Sequence, residues 1–238
     1  MKLLLSLIFL YLIPGAALMF RNAFILLVND HSLLWPLLSG FGAGTILYFI
    51  VIIRLNWLST FEHEFTHALV ALLFFRKINS FRVTSSKGGM VSHSGRFGGI
   101  PGDVMISLAP YFLPTLTMIT IIIRIFLPVK YYLYADIMIG FTLAYHLFSN
   151  YTELITNWTG KVFQNAKGVS MTTDIKQSGY ILSIITIISL SLYFYGLIIY
   201  FLTSGWNGII IASKSTVLTS WNFYSKFFEM IKQSVLSF

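Results

Sequence analysis

The sequence of 238 residues contains no cysteine and very little charge. Without cysteine there is no disulfide framework, no thiolate nucleophile and no thiolate metal ligand. Charged residues make up 10% of the chain, against roughly 25% in an average soluble domain. A chain this poor in charge cannot cover a water-facing surface. The composition therefore excludes an ordinary cytosolic enzyme, a disordered chain and a coiled coil.

The charge that is present is mainly basic, with a formal net charge of +8. The Lys and Arg residues are not clustered in a stripe, so we expect no nucleic-acid partner. Hydrophobic residues make up 56% of the chain, and the mean hydropathy is +0.79. These values predict an α-helical polytopic membrane protein whose surroundings are the lipid bilayer.

Apolar runs long enough to cross a bilayer recur along the chain, since a spanning helix needs roughly 20 apolar residues. They predict about five or six transmembrane helices, over Leu3–Phe20, Leu33–Ile53, Trp57–Phe75, Val104–Leu127, Tyr131–Phe148 and Gly179–Leu202. The first run has two interpretations, a cleaved signal peptide or a retained helix. The spans that follow it directly favour the helix.

Polar segments separate these runs. In Ile78–Gly102, short apolar runs around Gly88-Gly89 predict a β-hairpin that turns at the glycines. Asn150–Gln177 is a longer polar loop, and the tail after Ser204 mixes lysines with aromatic residues, as in an amphipathic interfacial helix. The predicted organisation has N-terminal transmembrane helices over 1–56, a functional membrane core over 57–203 and an amphipathic C-terminal tail over 204–238.

The distribution of positive charge predicts the orientation. Five basic residues lie between Arg76 and Arg96, and a second polar loop carries Lys161, Lys167 and Lys176. We expect both loops on the cytoplasmic side of a bacterial inner membrane. The short connection at Val129-Lys130 is then expected on the outer side.

One dense polar cluster interrupts the third apolar run, and its sequence is Phe61-Glu62-His63-Glu64-Phe65-Thr66-His67-Ala68-Leu69. It contains the pattern H-E-x-x-H. On a helix, His63 and His67 project from one face one turn apart and can hold a single Zn²⁺. Glu64 is then placed to take a proton from zinc-bound water and to pass it to a leaving amine. Charged residues at mid-membrane cost on the order of 2.5–3.5 kcal/mol each, and a structural histidine pair would leave the carboxylate between them unexplained.

This cluster in an apolar helix resembles the intramembrane metalloproteases of the site-2 protease family. Gly88-Gly89-Met90-Val91 and Leu108-Ala109-Pro110-Tyr111 are also similar to segments of its small bacterial members. The resemblance extends roughly from Trp57 to Leu202. It implies a zinc metalloendopeptidase that cleaves membrane protein substrates within or near the bilayer through a zinc-bound water. The hairpin would pair with an unwound substrate strand.

The resemblance further implies that His63 and His67 are zinc ligands and that Glu64 is the catalytic acid/base. The family's Asn-Pro…Leu-Asp-Gly segment, which supplies the third ligand, is not present as such. Two acids are therefore candidates, because catalytic zinc takes three protein ligands. Asp174, which precedes Gly179 at the start of the last long apolar helix, resembles the family's Asp-Gly helix start. Asp136 lies early in Tyr131–Phe148, at a depth closer to that of the histidines.

We predict Asp174 as the third ligand on the resemblance and keep Asp136 as the alternative. Each acid also has a structural interpretation. Thr173 or Asp174 can cap a helix, and Asp136 can pair with Lys130. A third possibility is a different H-E-x-x-H peptidase with Glu153 as third ligand.

Two other functions fit the same composition. One is a catalytically inactive membrane regulator that binds metal or a partner, and the other is a transporter that uses the buried polar groups. A polar stripe that contains Thr142, His146 and Asn150 predicts a hydrogen-bonding face between helices rather than a ligand set. Nothing in the sequence indicates the substrate or the oligomeric state.

Overall fold

The computed structural model describes residues 1–54, 56–84, 88–158 and 174–236. Within these ranges the chain consists of eight helices, two short 3₁₀ turns and one two-stranded sheet. The elements are α1 (Lys2–Asn29), α2 (His31–Ile50), α3 (Asn56–Leu73), β1 (Lys77–Thr84), β2 (Gly88–Ser94), α4 (Gly99–Phe112), α5 (Thr115–Phe126), α6 (Tyr132–Trp158), α7 (Asp174–Ser178) and α8 (Tyr180–Leu236).

Three of the described helices are long and apolar enough to cross a membrane, namely α1, α2 and α8. The pair α4 and α5, bent by 78°, makes a fourth if it is counted as one span. The expected class of helical membrane protein with a hairpin is therefore confirmed. The count by length and hydropathy is lower than the five or six expected, because polar residues inside α3 and α6 reduce their hydropathy.

The predicted single span over Val104–Leu127 is wrong in one respect, since the structure breaks it into α4 and α5. Leu113, between them, has an extended backbone with φ −102° and ψ 107°. The cause is Pro114, which has no N–H and disfavours the helical conformation in the residue before it.

The predicted hairpin is present and follows α3 directly. Strands β1 and β2 pair in antiparallel fashion, from Lys77 opposite Ser94 to Thr84 opposite Gly88. Gly88 and Gly89 belong to β2, opposite Thr84 and Val83, so the expectation that they form the turn is wrong. The connecting residues 85–87 lie outside the described part of the chain.

The C-terminal third is also divided differently from the expectation of one long helix that starts at Asp174. Asp174 begins the short helix α7, and Gly179 with φ 100° separates it from α8. Helix α8 is itself interrupted at Gly205, with φ 61° and ψ −151°. Beyond this point the chain runs back along the molecule, and Ser213 hydrogen-bonds Tyr193 at 2.9 Å.

The returning segment lies against α1. The Gly15 N–H donates to Ser220 Oγ at 3.1 Å, and the rings of Tyr11 and Tyr224 stack at 5.5 Å. The predicted amphipathic tail is therefore helical and in contact with the first helix. The domain boundaries at 56 and 203 stay predictions.

The core of the molecule joins elements that are distant in sequence. One buried cluster brings together residues of α1, α3, α4, α7 and α8, and its members include Leu5, Val70, Ala71, Leu108, Ile175 and Leu182. This cluster fixes α7 against α3 and α4. It therefore determines where the first residue of α7 lies.

Candidate metal centre

The structure brings together His63, His67 and Asp174. Helix α3 places both imidazoles on one face, with ring centroids 4.7 Å apart. The Oδ2 atom of Asp174 lies 3.3 Å from Nε2 of His63 and 3.4 Å from Nε2 of His67. Each residue offers one ligand atom, and the three atoms lie within 4.8 Å of one another. This group has the geometry to hold one metal ion.

Asp174 reaches the histidines because its neighbour Ile175 is anchored in the core. The Ile175 side chain has no exposed surface and packs in the cluster that α3 and α4 share with α8. Ser183 Oγ donates to the carbonyls of Ile175 and Gly179 at 3.3 and 2.9 Å. These contacts fasten α7 to the start of α8. An acid 111 positions from His63 is thereby held beside it.

Both imidazoles face an oxygen atom on the side away from Asp174, within hydrogen-bond distance for His67 and at a longer distance for His63. Nδ1 of His67 lies 2.7 Å from the carbonyl oxygen of Ile106. Nδ1 of His63 lies 3.6 Å from Oε1 of Glu153. Metal-binding histidines commonly direct their second nitrogen to a carbonyl or carboxylate, which fixes the tautomer that leaves Nε2 free. Two imidazole nitrogens and one carboxylate oxygen are a donor set that suits Zn²⁺.

Glu64 lies beside this group and against the hairpin. It is buried, with 8% of its surface exposed. A Cβ atom added at Gly89 of β2 would lie 2.3 Å from Glu64 Cγ and 2.6 Å from its Oε1. No side chain fits at this point, so glycine lets β2 approach Glu64 closely. Gly89 was predicted to be a turn residue, and its close approach to Glu64 was not predicted.

Asp136, the alternative third ligand, has a different partner. Arg124 donates to it through Nε and Nη2, at 2.6 Å to Oδ1 and 3.3 Å to Oδ2. The alternative structural interpretation, a pairing of Asp136 with Lys130, is wrong, because Asp136 pairs with Arg124 and Lys130 Nζ lies over the ring of Tyr131 at 4.9 Å. Among the described residues, the group that could hold a metal ion does not include Asp136.

Glu153, the other alternative, touches the centre from outside. Its carboxylate faces Nδ1 of His63, whereas Asp174 faces Nε2 of the same ring. Glu153 is not part of the group with converging ligand atoms. Glu153 therefore lies behind His63 rather than among the converging ligand atoms.

The polar stripe on α6 contacts the helices of the metal centre. His146 Nδ1 lies 3.6 Å from Oε1 of Glu62 on α3, and both side chains are buried. Asn150 donates from Nδ2 to the carbonyl of Tyr111 on α4. These contacts agree with the expected helix–helix face, although Thr142 bonds carbonyls of its own helix. No sequence pattern indicated that Glu62 would lie beside His146.

Comparison with known proteins identifies the family to which this part of the chain belongs. A family model described as Peptidase M50B-like matches residues 23–205. Neither the curated proteins nor the solved structures give a match. The matched segment covers well over half of the chain and contains the two histidines, Glu64, the hairpin and Asp174. This match confirms the resemblance to site-2 proteases. The chain therefore belongs to the Peptidase M50B-like family.

Proposed function

We propose that the protein is an intramembrane zinc metalloendopeptidase that hydrolyses peptide bonds of membrane-embedded protein substrates. The observation that carries this proposal is the convergence of Asp174, the first residue of α7, on His63 and His67, which share one face of α3, with Glu64 beside them. The family match supports a peptidase. The apolar helices around the site support a substrate that is itself in the membrane.

His63, His67 and Asp174 would hold the zinc ion. When bound, zinc polarises the scissile carbonyl and lowers the pKa of a coordinated water from about 15.7 to about 7. The chain would orient the two imidazoles through the oxygen atoms behind them, which are the Ile106 carbonyl behind His67 and the Glu153 carboxylate behind His63. It also supplies burial, which strengthens electrostatic interactions at the site.

Glu64 moves the protons. It directly follows His63 in the chain and lies on the same turn of α3 as the ligands. In peptide hydrolysis one proton leaves the attacking water and one must reach the departing amine nitrogen. A single carboxylate within reach of both can accept the first proton and deliver it to the second position. The position of Glu64 beside the ligand group suits both transfers.

The hairpin would position the substrate. Strand β2 passes directly against Glu64 at Gly89. Within the described residues β2 pairs with β1 on one edge and with no strand on the other. An extended peptide that adds to this edge would satisfy its backbone groups as a third strand. Its scissile bond would then lie near the carboxylate.

The substitution Glu64→Gln tests the proposal. We expect the variant to lose cleavage of fluorescein-labelled casein in detergent micelles, because an amide cannot accept the proton. It should keep one zinc per chain, as measured by elemental analysis, because the ligands are untouched. The control is Glu229→Gln, which removes an exposed carboxylate in α8.

Two results would contradict the proposed role. Full activity of Glu64→Gln would show that Glu64 is not the acid/base. A wild-type protein that binds zinc but cleaves no casein and no single-span peptide would favour the inactive regulator instead.

A further inference from the structure

Helix α4 carries a proline in its last turn, close to the metal centre. Pro110 lies inside Gly99–Phe112. In a regular helix the carbonyl of Ile106 would accept a hydrogen bond from the N–H of residue 110. Proline has no N–H, so this carbonyl is left without its helical donor. The nitrogen that approaches it is Nδ1 of His67, at 2.7 Å and from 39 positions away in the chain.

In the first helix, away from the metal centre, a proline also leaves a carbonyl without its helical donor. Pro14 lies inside α1, which removes the helical donor of the Leu10 carbonyl. The hydroxyl of Tyr224 on α8 donates to this carbonyl at 3.1 Å. A carbonyl freed by proline in a membrane helix can be satisfied by a donor on a neighbouring helix. In α1 the donor is a tyrosine hydroxyl, whereas in α4 it is a candidate metal ligand.

We propose that Pro110 is a positioning residue of the metal centre. It reserves the Ile106 carbonyl for the Nδ1–H of His67 and thereby fixes Nε2 as the atom that faces Asp174. This inference rests on the proposed function. His63 differs, since its Nδ1 faces the carboxylate of Glu153, a side chain that can follow the ring. His67 depends on a backbone oxygen whose availability is decided by residue 110.

The substitution Pro110→Ala restores the competing N–H. The Ile106 oxygen has a second lone pair, so the competition is partial. We expect zinc affinity to fall about ten-fold, at the lower end of the effects seen when groups behind a metal ligand are changed. Alanine also replaces an unfavourable interior proline in the helix. The zinc-free variant should therefore unfold at a temperature no lower than that of the zinc-free wild type.

The experiment uses the full chain in detergent, with zinc affinity measured by competition against a chromophoric chelator. Pro14→Ala is the matched control, because it restores an N–H beside a freed carbonyl far from the site, and its zinc affinity should equal that of the wild type. The inference is overturned if Pro110→Ala binds zinc as tightly as the wild type. It is equally overturned if that variant unfolds earlier or does not fold, since Pro110 would then act through packing alone.

A second measurement does not depend on any variant at position 110. In the zinc-free wild type, the ¹⁵N shifts of the His67 ring should show the proton on Nδ1, with assignment by His67→Gln. A ring that carries its proton on Nε2 alone, with none on Nδ1, would overturn the inference. A wild type that binds no zinc would contradict the proposed function, while the His67 tautomer would still test the role of Pro110.

Discussion

At the scale of single residues, the contact between Gly89 and Glu64 determines how close the hairpin comes to the proposed acid/base. The space that a Cβ atom would need at position 89 is filled by the Glu64 side chain. The hairpin and the carboxylate are therefore fitted to each other. A change at Gly89 acts on Glu64 without altering any proposed ligand.

We expect Gly89→Ala to lower the rate of peptide cleavage about 100-fold, since displacing a catalytic group by about 1 Å has effects of this size. Zinc content should stay at the wild-type level, and both are measured on the same preparation. Gly42→Ala is the control, because a Cβ at that glycine meets nothing within 4 Å. Wild-type activity of Gly89→Ala would show that β2 does not constrain Glu64.

The residues of the site differ in how far the sequence could predict them. His63, Glu64 and His67 lie within one helical turn, so their meeting follows from local geometry. Asp174 is distant in the chain, and it was predicted from a family resemblance although a simple depth estimate favoured Asp136. The contact of His67 with Ile106 was not predictable, because the acceptor is a backbone oxygen of another helix.

At the scale of elements, Arg76 ties the end of α3 to the start of α4. Its guanidinium donates to Asp103 at 2.5 Å and to the carbonyls of Phe97 and Gly99 at 3.2 and 3.3 Å. The Arg76 side chain is 3% exposed, whereas that of Asp103 is 55% exposed. Since α4 carries the Ile106 carbonyl, this tie also sets the position of the acceptor behind His67.

We expect Arg76→Met to destabilise the protein by about 2 kcal/mol, because it removes several charge-assisted hydrogen bonds. Asp103→Asn should have a smaller effect, since the exposed amide can still accept a bond from Arg76. Thermal unfolding in detergent measures both variants, with Arg82→Met on the exposed face of the hairpin as control. Equal midpoints for Arg76→Met and the wild type would show that the tie does not stabilise the fold.

The elements also show where hydropathy is a poor guide. The run Val104–Leu127 is apolar throughout, so it predicts one span, yet Leu113 and Pro114 break it into two helices bent by 78°. The position of Pro114 indicates this break, whereas the hydropathy of the run does not. The hairpin was predicted from its short apolar runs, but Gly88 and Gly89 lie in the strand, where Gly89 lets β2 pass close to Glu64.

At the scale of the whole molecule, the absence of cysteine makes the predicted orientation directly testable. Single cysteines can be introduced at Ser94 in β2 and at Val129 after α5, both of which are exposed. The positive-inside rule places Ser94 on the cytoplasmic side and Val129 on the outer side. A membrane-impermeant maleimide should therefore label Val129→Cys in intact cells and Ser94→Cys after permeabilisation alone. The reverse pattern would contradict the orientation.

The overall arrangement explains why distant residues form one site. Helices α1, α3, α4, α7 and α8 share the buried cluster that contains Ile175, and this cluster holds Asp174 beside α3. Sequence patterns predicted the class of fold from the low charge and the long apolar runs. They could not predict which helices pack together, because that depends on shape and on contacts between segments far apart in the chain.

The central claim is that His63, His67 and Asp174 form the metal centre, and zinc stoichiometry tests it most directly. The measurement compares the purified wild type with Asp174→Asn and Asp136→Asn after dialysis against the same buffer. We expect one zinc per chain in the wild type and in Asp136→Asn, whose carboxylate pairs with Arg124, and none in Asp174→Asn. Full zinc in Asp174→Asn, or its loss in Asp136→Asn, would contradict the account.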